Sequence, residues 1–312
     1  MARARRDQAL PNEAAARVRT ARTGRSALDA ARHPRHGAAV TQHAPIRAAT
    51  GPAQPRSIGA MRVASMRAGG RSRLRDLRQA GCLKCLVPRP TGPALQGVMA
   101  NTSGGLTSGD GLRVEAEAAA GSALTVTTQA CERLYRAPSG PAALDVSLTV
   151  GPAAALRWLP QETIAYDGAA LRRRIDAQVA GDGVLLICEA VILGRTARGE
   201  RVGSLDLSER WHVRRDGRLV HVEAQRLGPP ASLDAPSLLG GARAFATVLH
   251  VAPDAARRLP AMRAALEGAH GAAGAWDGKA VARILAPDGR ALRRALIPLL
   301  RALAPLPRVW TL

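Results

Sequence analysis

The sequence predicts a mainly β fold with a small helical part at its C-terminal end, an α+β class without the alternation of a doubly wound sheet. Three observations carry this. Apolar and polar residues alternate in segment after segment from about residue 70. Asp216-Gly217 joins two such segments as a two-residue hairpin turn. Helical spacing appears only beyond Pro253.

Residues 1–60 show no sustained period and are rich in Arg, Ala, His and Pro, which predicts a disordered tail ahead of a folded part over 61–312. The tail carries eleven arginines against Asp7, Glu13 and Asp29, and residues 61–80 add six against Asp76. Much of the formal charge of +21 therefore lies in a stretch that need not belong to the fold. Met61 and Met66 offer alternative translation starts, from which the tail would not be made.

Further on, Leu112-Arg-Val-Glu-Ala-Glu-Ala alternates, Gly121-Ser122 turns the chain, and Ala123-Leu-Thr-Val-Thr-Thr returns it. Leu144, Val146, Leu148 and Val150 share one face of the next strand, closed by Gly151-Pro152. Leu171, Ile175, Ala177 and Val179 repeat the pattern up to Gly181-Asp182-Gly183. Val184 to Leu193 is nearly continuous apolar sequence, as in a strand covered on both faces. A type I′ turn at Asp216-Gly217 sets Val213 opposite Val220 and Trp211 opposite Val222. The other face of that hairpin then carries Arg210 with Glu223 and His212 with His221. Pro253 to Leu266 has helical spacing that Pro260 divides, and Ala291 to Leu303 has it again, with Pro298 as a kink or break.

Composition narrows the function classes. Of 45 basic residues only Lys84 and Lys279 are lysine, a bias that points to GC-rich coding more than to phosphate binding. Polyanion binding through the tail is one reading of the charge. With aromatics at 2%, few side chains can stack on bases, so nucleic acid is not an expected partner. Cys82, Cys85, Cys131 and Cys188 stand without a secretory h-region, which suits reduced thiols in a cytoplasm. The Arg-rich, acid-poor start has some likeness to a transit peptide. Charges interrupt the apolar runs at Glu189 and Arg301, so no membrane span is expected.

The stretch Trp158-Leu-Pro-Gln-Glu-Thr-Ile-Ala-Tyr-Asp-Gly168 places Glu162 and Asp167 close in sequence. On one strand they would point to opposite faces, and on one helix they would stand well apart. A paired-carboxylate site would need a partner from elsewhere in the chain. Cys82-Leu-Lys-Cys85 has the spacing of half a zinc site without a second half. His212 opposite His221 would bring two imidazoles within ~5 Å, a surface pair able to grip a metal. Asn101-Thr-Ser-Gly-Gly-Leu-Thr-Ser-Gly-Asp-Gly111 lacks the ending of a phosphate loop and precedes a strand pattern, so it reads as a tight loop presenting Asp110.

NTSGGLTSGD, LTVTTQACERLYR, LRWLPQETIAYDGAALRRRI and CEAVILGRTARGE follow one another in this order. Together with LRDLRQAGCLKCLVPRP upstream and WHVRRDGRLV and PRVW downstream, they resemble the UreD family of urease accessory proteins, called UreH in some organisms. The resemblance covers about residues 70–312 and departs at Ser108, where Gly is more usual; Cys85, His212 and His221 are idiosyncratic. It implies a large stacked, helicoid β structure, rich in antiparallel strands. It implies a noncatalytic scaffold that binds the urease apoprotein and UreF, and the GTPase UreG through UreF. Nickel would be handled transiently and no cofactor bound tightly. By position in the family motifs, Asp110, Thr127, Thr128, Glu162, Asp167 and Glu200 would line a nickel passage. Arg133, Tyr135 and Arg195 would hold strands and balance charge. A competing enzyme reading is a β-rich metal-dependent hydrolase built on Glu162, Asp167 and Glu200.

Overall fold

The computed structural model describes residues 55–89, 92–195, 198–228 and 233–311. The predicted tail lies outside them up to residue 54, and the first strand begins at Ile58, ahead of the expected boundary. Along the chain come β1 (Ile58–Ala68), β2 (Arg71–Gly81), β3 (Leu83–Leu86), β4 (Leu95–Asn101), β5 (Gly111–Ala118) and β6 (Ala123–Thr128). Next are β7 (Glu132–Leu134), β8 (Ala142–Val150), β9 (Ala155–Leu159), β10 (Thr163–Ala165), β11 (Ala169–Val179) and β12 (Val184–Leu193). The chain closes with β13 (Leu205–Arg215), β14 (Arg218–Leu227), β15 (Ala244–Val251), α1 (Ala255–Ala265), β16 (Gly271–Trp276), β17 (Lys279–Ala286) and α2 (Gly289–Leu303). The fold is mainly β with a small helical part, as predicted.

The strands form two stacked sheets, ordered β14-β13-β11-β8-β5-β1-β2 and β16-β17-β15-β12-β9-β6-β4-β3. Their pairing corrects the expectation of an antiparallel-rich structure. The β13-β11-β8-β5-β1 and β12-β9-β6-β4 runs are parallel, and antiparallel pairs sit toward the sheet ends. The cause lies in the turns. Gly121-Ser122, Gly151-Pro152 and Gly181-Asp182-Gly183 do not fold a strand back beside its predecessor; each passes the chain from one sheet to the other. A strand's neighbour in its own sheet therefore arrives one full coil later and runs the same way. Side chains about 31 residues apart in sequence become stacked neighbours, as in the pairs Cys131 with Glu162 and Trp158 with Glu189.

Alternation along each strand builds the core. Leu112, Val114 and Ala116 of β5, Leu144, Val146, Leu148 and Val150 of β8, and Leu171, Ile175 and Val179 of β11 all turn inward between the sheets. β12 is covered on both faces, as its apolar run predicts. Ile187 and Val191 enter the layer between the sheets, while Leu186, Cys188 and Ala190 pack under the helices. Both helices lie on that second face, through Met262 of α1 and Leu292, Leu296, Leu299 and Leu300 of α2. Each fully buried Leu of this kind contributes roughly 1.5–3 kcal/mol. Neither Pro260 nor Pro298 divides its helix. No helix among the described residues is long and apolar enough to cross a membrane.

Three further points differ from expectation. Residues 58–81, part of the basic stretch that by sequence need not belong to the fold, form the hairpin β1–β2, whose Met61, Val63 and Ala64 are buried. On it the Arg62 guanidinium bonds Asp76, Glu115 and Glu117 at 2.8–3.0 Å, so part of the charge is neutralised within the sheet. The chain leaves this hairpin through Gly81 at φ 61°, where a Cβ would strike the Ile58 carbonyl. A second unexpected hairpin, β16–β17, separates the two helices and turns at Asp277-Gly278, with φ 47° and 69°.

The third difference is a register shift in the predicted β13–β14 hairpin. Its turn is as expected, with Asp216 at φ 49° and Gly217 at 78°. Arg214 pairs with Leu219, but Val213 pairs with His221, so Val220 is an extra residue on β14. The bulge reverses the faces beyond it. His221 turns inward beside Trp211 while His212 stays outside, paired with Val222.

Candidate functional site

The polar centre of the molecule lies between the two sheets. On β11 the sequence Leu171-Arg-Arg-Arg-Ile175 keeps the strand period, so Arg173 shares the inward phase of Leu171 and Ile175 and is only 2% exposed. Glu209 has the inward phase of Leu207 and Trp211 on β13 and stands directly beside Arg173 in register. Glu189 comes from the opposite sheet, in phase with Ile187 and Val191.

Arg173 therefore binds carboxylates from both layers. One guanidinium nitrogen, Nη1, meets Glu189 Oε2 at 2.5 Å, and Nη2 donates to Glu209 Oε1. Nη1 also donates to Thr163 Oγ1 at 3.2 Å, while Nε finds no partner. Trp158 Nε1 donates to the other oxygen of Glu189 at 2.7 Å. Burial raises the Glu189 pKa, and the Arg173 charge opposes the rise.

A void of about 20 Å³ adjoins this cluster, lined by Thr128, Glu132, Gln161, Thr163, Arg173 and Glu189 among others. It has room for about one water molecule. Glu132 accepts from Asn101 Nδ2 at 3.2 and 3.3 Å, and burial pushes its carboxyl up to about 7. The interior thus holds carboxylates whose burial favours the protonated form, beside neutral oxygen donors.

The sequence-predicted passage residues are placed unevenly around this centre. Thr128 reaches the void, and its Oγ1 accepts from Gln161 N at 2.8 Å. Thr127 is buried, and its Oγ1 has no partner. Asp110 is buried and fully engaged, accepting from Ser57 N at 2.7 Å and Thr107 N at 2.8 Å. Glu162 is 1% exposed, with Oε1 accepting from Arg293 Nε at 2.7 Å and Oε2 from the Cys131 thiol at 3.4 Å.

Asp167 accepts from Gly203 N and Ser204 N at 3.0 Å and pairs with Arg136 at 2.6 Å. Glu200 binds Arg195 Nε at 2.7 Å and accepts from Asp167 N at 3.4 Å. Arg195 also lies 4.5 Å over the Tyr166 ring, and Tyr166 meets Tyr135 edge-on at 5.2 Å. Arg133 is exposed, and its carbonyl accepts from Leu106 N at 2.7 Å. Asp167 and Glu200 therefore touch; Glu162 serves a different place.

That place is a cavity of about 760 Å³ between the β10–β12 edge and α2, lined by Cys131, Gln161 and Glu162, by Ile164, Ile192 and Ile297, and by several arginines. No group of three or more His, Cys, Asp or Glu side chains among the described residues can hold a metal. The predicted His212–His221 pair is overturned by the bulge, which puts the two rings on opposite faces. His221 is instead buried with Nε2 unpartnered, and burial lowers its pKa to about 4. Cys82 and Cys85 are free thiols, with Cys85 buried in the core and pushed up to about 11.

Sequence reading missed Arg173, Glu189, Glu209 and Arg293. The first three carried a usable signal, since each is a charge in the inward phase of an apolar strand.

Residues 57–311 match the family model of the UreD urease accessory protein. The chain belongs to the UreD family. It is 44% identical over 262 residues to the urease accessory protein UreD of Rhizobium leguminosarum bv. viciae, covering 82% of this chain and 96% of the relative. UreD of Azorhizobium caulinodans is 43% identical over 267 residues, covering 84% and 98%. UreD of Agrobacterium fabrum is 44% identical over 264 residues, covering 83% and 93%. The UreD match begins next to β1, so the β1–β2 hairpin is part of the family's shared region.

Proposed function

We propose that this chain serves urease maturation in the cytoplasm as a noncatalytic scaffold. It binds the urease apoprotein and UreF, meets the GTPase UreG through UreF, and hands nickel onward through its interior without a tightly bound cofactor of its own. UreD family membership supports the maturation role.

The observation that supports an interior route is the polar cluster between the sheets, where an apolar layer would otherwise be expected. Thr128, Gln161, Glu132 and Glu189 offer spaced oxygen donors, which suit a hard divalent ion that must leave again. A space for about one water is too small for a hydrated ion, so transit requires the Arg173 side chain to move. Arg173 then acts as a resident cation that the cargo must displace from Glu189 and Glu209. The hydrolase alternative finds no convergence. Glu162 is committed to Arg293 and Cys131, and Asp167 and Glu200 are committed to backbone amides and arginines.

The deciding experiment deletes the gene in cells that make urease and measures urease activity and its nickel content. Both are expected to fall to near background, with urease protein still present. Full activity with full nickel in the deletion strain would refute the scaffold reading.

A further inference from the structure

The cavity beside α2 combines an apolar floor with a cationic rim. Ile164 of β10 and Ile192 of β12 pair in register and form one wall, and Ile297 of α2 stands across from them. All three are partly exposed. Gly289 lets the start of α2 sit directly on Ile192, since a Cβ there would come within 2.5 Å of the Ile192 side chain.

The rim charges have an unusual placement. Arg290, Arg293 and Arg294 all fall in the first two turns of α2, and its first turn holds no acidic residue. Cations near a helix N-terminus oppose the helix dipole. Arg293 is occupied by Glu162 and Gln161. Arg290 and Arg294 are exposed and make no ion pair among the described residues, and Glu162, the one carboxylate lining the cavity, is already bound. Asp288 caps the helix by accepting from Ala291 N at 2.7 Å, and Arg290 and Arg294 keep unpaired positive charge beside a patch of isoleucine.

We propose that this groove docks an acidic, amphipathic segment of a partner protein. An apolar side chain of the segment enters between Ile192 and Ile297, and its carboxylates meet Arg290 and Arg294. Among the described residues no unpartnered buried polar atom lines the groove, which favours a protein segment over a small anion. The inference rests on the scaffold reading only in requiring a protein partner; it does not depend on nickel.

The test uses the purified full chain and a short fluorescent peptide repeating Glu-Glu-Leu-Leu, followed by anisotropy. Wild type is expected to bind it. Arg290→Glu with Arg294→Glu should weaken binding about tenfold or more, and Ile297→Lys should do the same through the floor. Arg71→Glu with Arg73→Glu, on the remote strand β2, should leave it unchanged, with circular dichroism confirming the fold of each variant. Four results would overturn the proposal: no binding by wild type, equal binding by the groove variants, equal loss in the β2 variant, or equal binding of a Glu-Glu-Ser-Ser peptide. Displacement of the peptide by inorganic polyphosphate from wild type, with polyphosphate binding lost in the groove variants, would assign the site to a polyanion instead. Because the assay contains no urease, its failure leaves the gene-deletion result untouched.

Discussion

Arg173 answers to carboxylates from two different sheets, so its loss would leave two buried negative charges with no nearby cation. Removing one partner from a buried ion pair costs about 3–5 kcal/mol. Arg173→Met is expected to lower the urea midpoint accordingly at pH 8, and adding Glu189→Gln and Glu209→Gln should restore much of the loss. Glu132 gives a pH signature. Its folded pKa of about 7 lies above the unfolded value, so its contribution is full below about pH 4.5 and is lost as pH rises toward 7. Glu132→Gln should remove that decline, worth about 2–3 kcal/mol, in urea titrations across the window. His250 has the opposite sign. It is buried with both ring nitrogens unpartnered and is lowered by burial to about 4, so its contribution is lost as pH falls from about 6.5 toward 4. His250→Leu should be neutral or stabilising by about 1 kcal/mol at pH 7, and more so at pH 5. At this scale the interior charges were legible as in-phase residues. The unpaired His221 was not, because it reaches the core only through a bulge.

Among the elements, β1–β2 shows how a charged strand pair can still belong to a core. Its buried face is supplied by β1 through Met61, Val63 and Ala64, and its other face pairs Arg62, Arg75 and Arg78 with Asp76, Glu115 and Glu117. A chain begun at Met66 would lack that buried face and expose the edge of β5 to solvent. It is expected to be insoluble, whereas a chain begun at residue 55 should keep the wild-type melting temperature. Gly81→Ala is a finer probe of the same hairpin. A side chain at its positive φ would also collide with Ile58, so a loss of more than about 1 kcal/mol is expected by thermal denaturation. The strands β5, β8 and β11 were readable from alternation. The hairpin β16–β17 was missed although Asp277-Gly278 carries the same turn signal as Asp216-Gly217, because the Gly- and Ala-rich β16 has almost no alternation of its own.

For the molecule as a whole, the feature that sequence reading lacked was the identity of each strand's neighbour. Gly121, Gly151 and Gly181 recur at equal steps, and that regularity was visible as turns, while the stacked, helicoid arrangement was expected from the family resemblance alone. Local pattern specifies which face of a strand is apolar. It does not say whether the next strand lies beside the first or across from it, since both solutions bury the same residues. The candidate site suffered from the same gap. Glu162 and Asp167 were compared with each other, five positions apart, whereas their contacts are Cys131 and Arg136, each one coil earlier.

A ladder wound in this way leaves a mark on evolutionary history. A change in side-chain size or charge at one rung is felt first on the rungs above and below, and hardly at all by its sequence neighbours. Compensating substitutions should therefore cluster one coil apart in sequence, with Cys131 and Glu162, Arg136 and Asp167, and Trp158 and Glu189 exchanging as couples.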